Sequence, residues 1–201
     1  MKNYPADFWN ERYANEAFVY GDDPNMFFKE QLDKLKTGSI LLPAEGEGRN
    51  AVYAASLGWD VFAFDISEKG KDKAFQLAEQ HKVSIDYQVV DVLDFKTSQK
   101  FDVIGLSYAH FPATIREAAH QHLLKFLKTN GIVIFEAFAK AQLGKSSGGP
   151  KNEAMLFSID EIKYEYSSLK FQILKEETVE LSEGKHHKGK AEVIRFVGVK
   201  K

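Results

Sequence analysis

The sequence predicts an α/β fold, a mostly parallel seven-stranded sheet with helices on both faces. Three observations point there. Short β-rich apolar runs alternate with helical patterns, as repeated β-α-β units do. The helical patterns between them are long enough to serve as crossover connections, which covers a parallel sheet on both faces. After Phe138 the pattern changes to a loop, one helix and two long β-like runs separated by glycines, which reads as a terminal antiparallel hairpin.

In chain order, DFWNERYANEAFVYGDDPN reads as a short aromatic helix followed by a turn at Gly21–Asn25, ahead of a lead-in helix. The first strand is SILLPA (39–44), followed by a helix over Arg49–Leu57. DVFAFD (60–65), a helix over Ser67–Lys82 and IDYQVV (85–90) continue the pattern, then FDVIGLS (101–107), a helix from Pro112 to Lys128 and GIVIFEAF (131–138). The loop AKAQLGKSSGGPKN carries a glycine-rich stretch at 144–149, which is expected to be mobile. A helix near Ser158–Leu169 precedes LKFQILKEETVEL and KAEVIRFVGVK, joined by the loop SEGKHHKG. No repeat or linker divides the chain. Residues 1–201 read as one domain, with 1–38 an aromatic lid and lead-in helix and 39–201 the core.

Composition narrows the function. With 27 basic and 29 acidic residues the formal charge is -2, so nothing favours nucleic acid or an anionic membrane as partner. A small-molecule substrate is expected. The first residues hold no apolar signal core, and no run approaches the about 20 apolar residues of a membrane span, which points to the cytoplasm. The absence of cysteine excludes disulfides, thiolate zinc sites and cysteine nucleophiles. Sixteen phenylalanines and eight tyrosines suggest a large core or an aromatic-lined pocket.

The chemistry concentrates in AEGEGRNA, between the first strand and its helix. Gly46 and Gly48 let a ligand approach the backbone at a helix N-terminus. Gly46, Gly48 and Ala51 fit the dinucleotide fingerprint G-x-G-x-x-G/A, with Asp65 about 20 residues on to accept ribose hydroxyls. The same geometry suits S-adenosylmethionine, with its ribose against the second strand and its amino acid portion over the glycine turn. Asp91, after the third strand, is placed to meet an adenine edge. The terminal hairpin favours the second ligand, because a nicotinamide enzyme usually needs further βα units or a substrate domain. A phosphate-binding loop at Gly144-Lys145-Ser146 fails, since Ala139 stands where its first glycine belongs.

LLPAEGEGRNAVYAASLGWDVFAFDIS, with FWNERYANEAFVYGDDPN before it and SGGPK after it, resembles the S-adenosylmethionine-dependent methyltransferases related to the tellurite-resistance protein TehB, over nearly the whole chain. The resemblance implies a Rossmann-like class I fold with strand order 3-2-1-4-5-7-6, S-adenosylmethionine as cofactor (S-adenosylhomocysteine as product), and a small, soft acceptor such as a thiol or a tellurite- or selenite-type compound. It implies that Glu45, Gly46, Glu47 and Gly48 line the cofactor, that Asp65 and Ile66 meet the ribose, that Asp91 and Val92 flank adenine, and that Ser107 and Tyr108 complete the site. Leu42, Pro43 and Ala44 depart from the usual acidic strand end and first glycine of that superfamily. The alternatives are a non-catalytic S-adenosylmethionine-binding module and a small NAD-dependent oxidoreductase.

Methyl transfer from a sulfonium needs alignment, proximity and exclusion of water. The acceptor belongs outside the carboxyl ends of the strands, near the switch point between strands one and four, close to Ser107, Tyr108, His110 and Phe111. Tyr20, Trp9 and Phe18 can form an aromatic lid or simply pack. His110 is a candidate to orient or deprotonate the acceptor, against the alternative of a loop histidine. His186 and His187 either reach the site from the hairpin or are solvated beside Lys185 and Lys188. Tyr20, His110 and His187 are the catalytic candidates. Arg49 is expected to bond locally, Lys145 to be solvated or to attract an anion. His81, His120 and His122 indicate no metal site.

Overall fold

A computed structural model describes residues 4–15 and 17–201; Met1–Asn3 and Glu16, part of the expected N-terminal lid, lie outside the described residues. Seven strands, β1 (Ser39–Pro43), β2 (Asp60–Asp65), β3 (Asp86–Val89), β4 (Phe101–Ser107), β5 (Leu127–Phe138), β6 (Leu169–Glu183) and β7 (His187–Lys200), form one sheet in the order β3-β2-β1-β4-β5-β7-β6. Neighbours from β3 to β5 are parallel, and β7 is antiparallel to both β5 and β6.

Side chains alternate across a strand, so the sheet separates two cores. Leu41 packs with Phe64, Phe95, Phe135 and Phe196 on one face, under α5 (Arg116–Leu124) and α6 (Ile159–Glu165). Ile40 and Leu42 pack with Phe28, Trp59 and Leu77 on the other, under α2 (Met26–Leu32), α3 (Arg49–Ser56) and α4 (Glu68–Gln80). α1 (Tyr4–Tyr13) docks against α4, where Asn10 Oδ1 accepts from Ser67 Oγ at 2.8 Å. Ser67 caps α4 through Gly70 N, and Ser158 with Glu161 forms a capping box on α6. Among the described residues no helix is long and apolar enough to cross a membrane.

Several boundaries differ from expectation, each for a local reason. The helix expected over Pro112–Lys128 is shorter. Pro112 only opens a turn, accepting from Ile115 N and Arg116 N. At the other end Asn130 takes a left-handed φ of 61°, and β5 starts at Leu127 with a register jump against β4 between Phe101 and Val103. The helix near 158–169 stops at Glu165, where Tyr166 buries its ring beside Phe135 and Phe196.

The hairpin carries the largest consequence. Its expected eight-residue loop collapses to Gly184–His186, because Glu183 pairs with His187 and the ladder continues from there. Pairing with β5 ends at Phe138↔Val193, so Thr178–Glu183 and His187–Glu192 overhang the carboxyl edge of the sheet. The tip lands on the segment after α1: Lys185 N donates to Val19 O at 3.3 Å. A side chain at Gly184 would sit 2.4 Å from Val19 O. The 144–149 stretch, expected to be mobile, is fastened to this hairpin. Gln142 Nε2 donates to Ser147 Oγ at 2.8 Å, and Ser147 Oγ donates to Lys190 O at 2.6 Å.

Beneath the sheet, Arg116 donates to Glu165 Oε1 at 2.8 Å and to Leu156 O at 3.0 Å, and His120 Nδ1 meets Glu165 Oε2 at 2.6 Å. All three side chains are buried, so the network locks α5, α6 and the 153–156 turn together. Removing one partner strands a buried charge, which costs about 3–5 kcal/mol. Arg116→Leu is therefore expected to lower the urea-unfolding stability by that amount, and Arg116→Leu/Glu165→Leu to recover most of it. Equal stability of Arg116→Leu and wild type would remove the network from the account.

Candidate active site

The glycine turn forms where β1 meets α3. Gly46 and Gly48 have φ of 61° and 86°, the left-handed region that favours glycine. Space demands glycine as well: a Cβ on Gly46 would lie 2.5 Å from Tyr13 Oη, and one on Gly48 2.5 Å from Ala74 Cβ. Ala44, at the unusual strand end, is also left-handed, with φ 52°. Gly46 N donates to Asp65 Oδ2 at 3.0 Å, and Tyr87 Oη donates to Gly46 O at 2.7 Å. Asp65 also accepts from Ser67 N at 2.9 Å. It is buried, and burial raises its carboxyl to about 6 against the pull of these N–H groups. At the ends of β1, β2 and β3, Ala44, Ile66 and Val90 are half-buried and Leu93, just beyond β3, is exposed. Asp91 is exposed and accepts from Leu93 N; Val92 is buried.

Two glutamates expected to line the cofactor turn elsewhere. Glu45 Oε1 accepts from Ala51 N at 2.8 Å, capping the first turn of α3; burial pushes it up to about 7, with that N–H and Arg49 opposing. Glu47 accepts from Val19 N at 2.8 Å and pairs with Lys73 Nζ at 2.5 Å. It therefore pins the 17–21 segment over the turn.

On the other side of the mouth lies a buried polar cluster. Tyr108, left-handed at φ 55° after β4, donates to Glu136 Oε1 at 2.6 Å. Glu136 also accepts from Asn25 Nδ2 at 2.7 Å and pairs with Arg195. Asn25 reaches Glu183 Oε1 at 3.1 Å, and Arg49 pairs with Glu183 Oε2 at 2.9 Å. Glu183 also meets His187 Nδ1 at 3.3 Å. Burial would raise Glu183, but the His187 hydrogen bond and the Arg49 charge hold it at about 2. A cavity of about 710 Å³ opens between this cluster, α2, α3 and the overhanging part of β6.

The catalytic candidates separate here. His187, one of the two hairpin histidines, is 6% exposed, not solvated; it packs against Tyr20, Tyr108 and Phe138 at 4.6, 4.4 and 5.1 Å between ring centroids. His186 is exposed. His110 meets Met155 O through Nδ1 at 2.8 Å and accepts from Phe138 N through Nε2 at 3.3 Å, so neither nitrogen is left for an acceptor. Burial lowers it to about 4, keeping it neutral. Of the expected lid aromatics only Tyr20 faces the hairpin. Trp9 stacks on Tyr13, and Phe18 lies under Lys73. Arg49 bonds locally, as expected, and Lys145 pairs with Glu192 at 2.5 Å.

Comparison with known proteins places the chain. A methyltransferase-domain family model matches residues 40–131. Those residues run from β1 into the start of β5, and over this stretch the chain is similar to a methyltransferase domain. The ribosomal protein L11 methyltransferase of Dictyoglomus turgidum (strain DSM 6724 / Z-1310) is 30% identical over 118 residues, 58% of this chain; the match spans 36% of that protein, about a third of its length. TehB from Haemophilus influenzae superposes with a TM-score of 0.74 at 16% identity, covering 98% of this chain and 67% of that one. Magnesium protoporphyrin IX methyltransferase from Synechocystis PCC 6803, with bound S-adenosylmethionine, does so with 0.69 at 17% identity, covering 100% and 97%. At these identities the structures share the fold.

The residues at the glycine turn are compatible with S-adenosylmethionine. Each carboxylate oxygen of Asp65 accepts one backbone N–H and retains a lone pair that a ribose hydroxyl would use. Ile66 and Val90 are half-buried, and Asp91 and Leu93 are exposed. Tyr108 was expected in the site; Glu136 and Asn25 were not, nor was the lock between Glu183 and Arg49.

A ribose held by Asp65 would make cofactor binding pH-dependent. The Asp65 carboxyl's folded-state value lies above its unfolded one, so its contribution to apoprotein stability falls as pH rises from about 4 to 6 and is constant above. Ribose hydroxyls donate to the ionised form. S-adenosylhomocysteine affinity, measured by calorimetry, is therefore expected to weaken up to about tenfold per unit below pH 6. Asp65→Asn should weaken binding at pH 8 and flatten that dependence, while Glu45→Gln, altered at the helix cap, keeps it. A pH-independent wild-type affinity would contradict the assignment of Asp65.

Proposed function

We propose that this chain transfers the methyl group of S-adenosylmethionine to a small-molecule acceptor of the soft, thiol or chalcogen kind. The observation that carries this is the carboxyl edge of β1 and β2: two left-handed glycines, the Asp65 carboxylate and partly exposed apolar side chains at Ile66, Val90 and Leu93, on the sheet edge that the hairpin overhangs. When bound, the cofactor supplies an activated methyl group whose leaving group departs as a neutral thioether. The chain supplies position and dryness. Gly46 and Gly48 admit the ligand to the backbone, Asp65 anchors the ribose, and Ile66, Val90, Asp91 and Leu93 flank the base. The hairpin tip and the 17–21 segment, joined at Val19 and Lys185, exclude water from the mouth. Tyr108 forms the wall between cofactor and acceptor.

Thermal unfolding with S-adenosylhomocysteine tests the cofactor. At 100 times its dissociation constant a ligand adds about 2.7 kcal/mol, expected to raise the midpoint of a domain this size by roughly 5–11 °C. NADH should leave it unchanged. A shift with NADH alone would overturn methyl transfer in favour of a nicotinamide enzyme. A shift with S-adenosylhomocysteine but no turnover on thiols, selenite or tellurite would leave a binding module.

A further inference from the structure

We propose, resting on the methyl-transfer reading, that His187 is the general base of this site, held by Glu183 and Arg49, and that the acceptor therefore arrives with a proton to lose, as a thiol does, rather than as a pre-ionised oxyanion. The geometry is that of a relay. Arg49, on the first turn of α3, pairs with Glu183 at the end of β6, and Glu183 Oε2 accepts from Nδ1 of His187 at the start of β7. With Nδ1 donating, Nε2 carries the bare lone pair. Among the described residues Nε2 makes no hydrogen bond, and the side chain is 8% exposed. Every other nitrogen-bearing ring near the mouth is spent or exposed: His110 is tied at both nitrogens, and His186 lies outside.

The surroundings keep the imidazole neutral and oriented. Tyr20 from the 17–21 segment, Tyr108 after β4 and Phe138 of β5 enclose it. Gly148 lies so close that a Cβ there would stand 2.8 Å from His187 Cδ2, which gives the SGGPK stretch a purpose. The titratable and charged groups around it are Glu183 (β6), Arg49 (α3), Glu136 (β5), Tyr108, Tyr20 and His110. Burial lowers His187, with Glu183 opposing and Arg49 adding to the fall, so the ring is free to accept at neutral pH.

The step balances without a co-reactant. The acceptor's X–H bond breaks and its proton moves to Nε2; the pair left on X forms the bond to the methyl carbon, while the S–C pair goes to sulfur and cancels the sulfonium charge. His187 then returns the proton to solvent. A thiol near its free acidity is only a few per cent ionised at pH 7, so such a base contributes about 10²–10⁴-fold. A pre-ionised acceptor gains nothing from it.

Two measurements test this. Histidine ¹⁵N NMR of the S-adenosylhomocysteine complex between pH 6 and 8 should show His187 as the neutral Nδ1–H tautomer, and Glu183→Gln should erase that preference. An Nε2–H tautomer, or a charged ring at pH 7, overturns the proposal. Initial rates on alkyl thiols and on acidic thiophenols, already ionised at pH 8, give the second. His187→Gln should lose 10²–10⁴-fold on the former and less than about threefold on the latter, with the S-adenosylhomocysteine thermal shift retained. Equal loss on both classes, or none, refutes base catalysis. If His187→Gln fails to fold, Glu183→Gln is expected to show the same split, more weakly. Wild-type inactivity on every thiol with the thermal shift intact refutes the acceptor class but not methyl transfer; absence of the shift refutes methyl transfer itself.

Discussion

The mouth of this protein is organised by one buried amide. Asn25 is fully buried, and every hydrogen-bonding group of its side chain is used. Its Oδ1 accepts from Phe28 N to cap α2, and its Nδ2 donates to Glu136 and Glu183. Its backbone N–H meets Asn50 Oδ1 in α3. A single residue thus ties the lead-in helix, the glycine-turn helix, the central strand β5 and the hairpin. A buried amide is tolerated only when satisfied in this way, so the four elements must arrive together.

Charge balance follows from the same node. Glu47 with Lys73, Glu136 with Arg195 and Glu183 with Arg49 bring three carboxylates and three cations below the surface. Unpaired, each would carry a desolvation cost of several kcal/mol. Paired, the six side chains carry no net charge. The two carboxyls left without a cation partner, Asp65 and Glu45, are the ones raised to about 6 and 7. They face backbone N–H groups instead.

The sheet was legible because apolar runs and crossover lengths are local properties. So was the glycine turn, where Gly46 and Gly48 take left-handed φ, and Asp65, which closes its strand. Glu136 was overlooked, although a lone carboxylate inside GIVIFEAF is the signal a buried ion pair leaves. Asn25 had a weaker sign, lying at the end of a turn read as ordinary. His187 was left either reaching the site or solvated, because SEGKHHKG looks like an exposed loop; its ring is buried. Where a hairpin turns depends on which cross-strand register packs best, and here docking of Gly184 on Val19 sets it, a contact between residues far apart in sequence. The 144–149 stretch was expected to be mobile for its glycines, yet Gly148 and Gly149 allow close approach to Phe138 and His187.

These contacts also decide what cofactor binding can influence. Glu47 and Arg49 flank Gly48 on consecutive turns of the chain. One holds Val19 N, and the other holds Tyr20 O at 3.2 Å and Glu183 at 2.9 Å. A ligand that displaces the glycine turn therefore pulls on the 17–21 segment and on the hairpin carboxylate together. Neither wall can shift alone, because Lys185 N is bonded to Val19 O across the tip. Coupling of this kind needs no distant pathway; it runs through two adjacent side chains and one backbone hydrogen bond. Glu47 and Arg49, on either side of Gly48, thus fix the glycine turn, the 17–21 segment and the hairpin relative to one another.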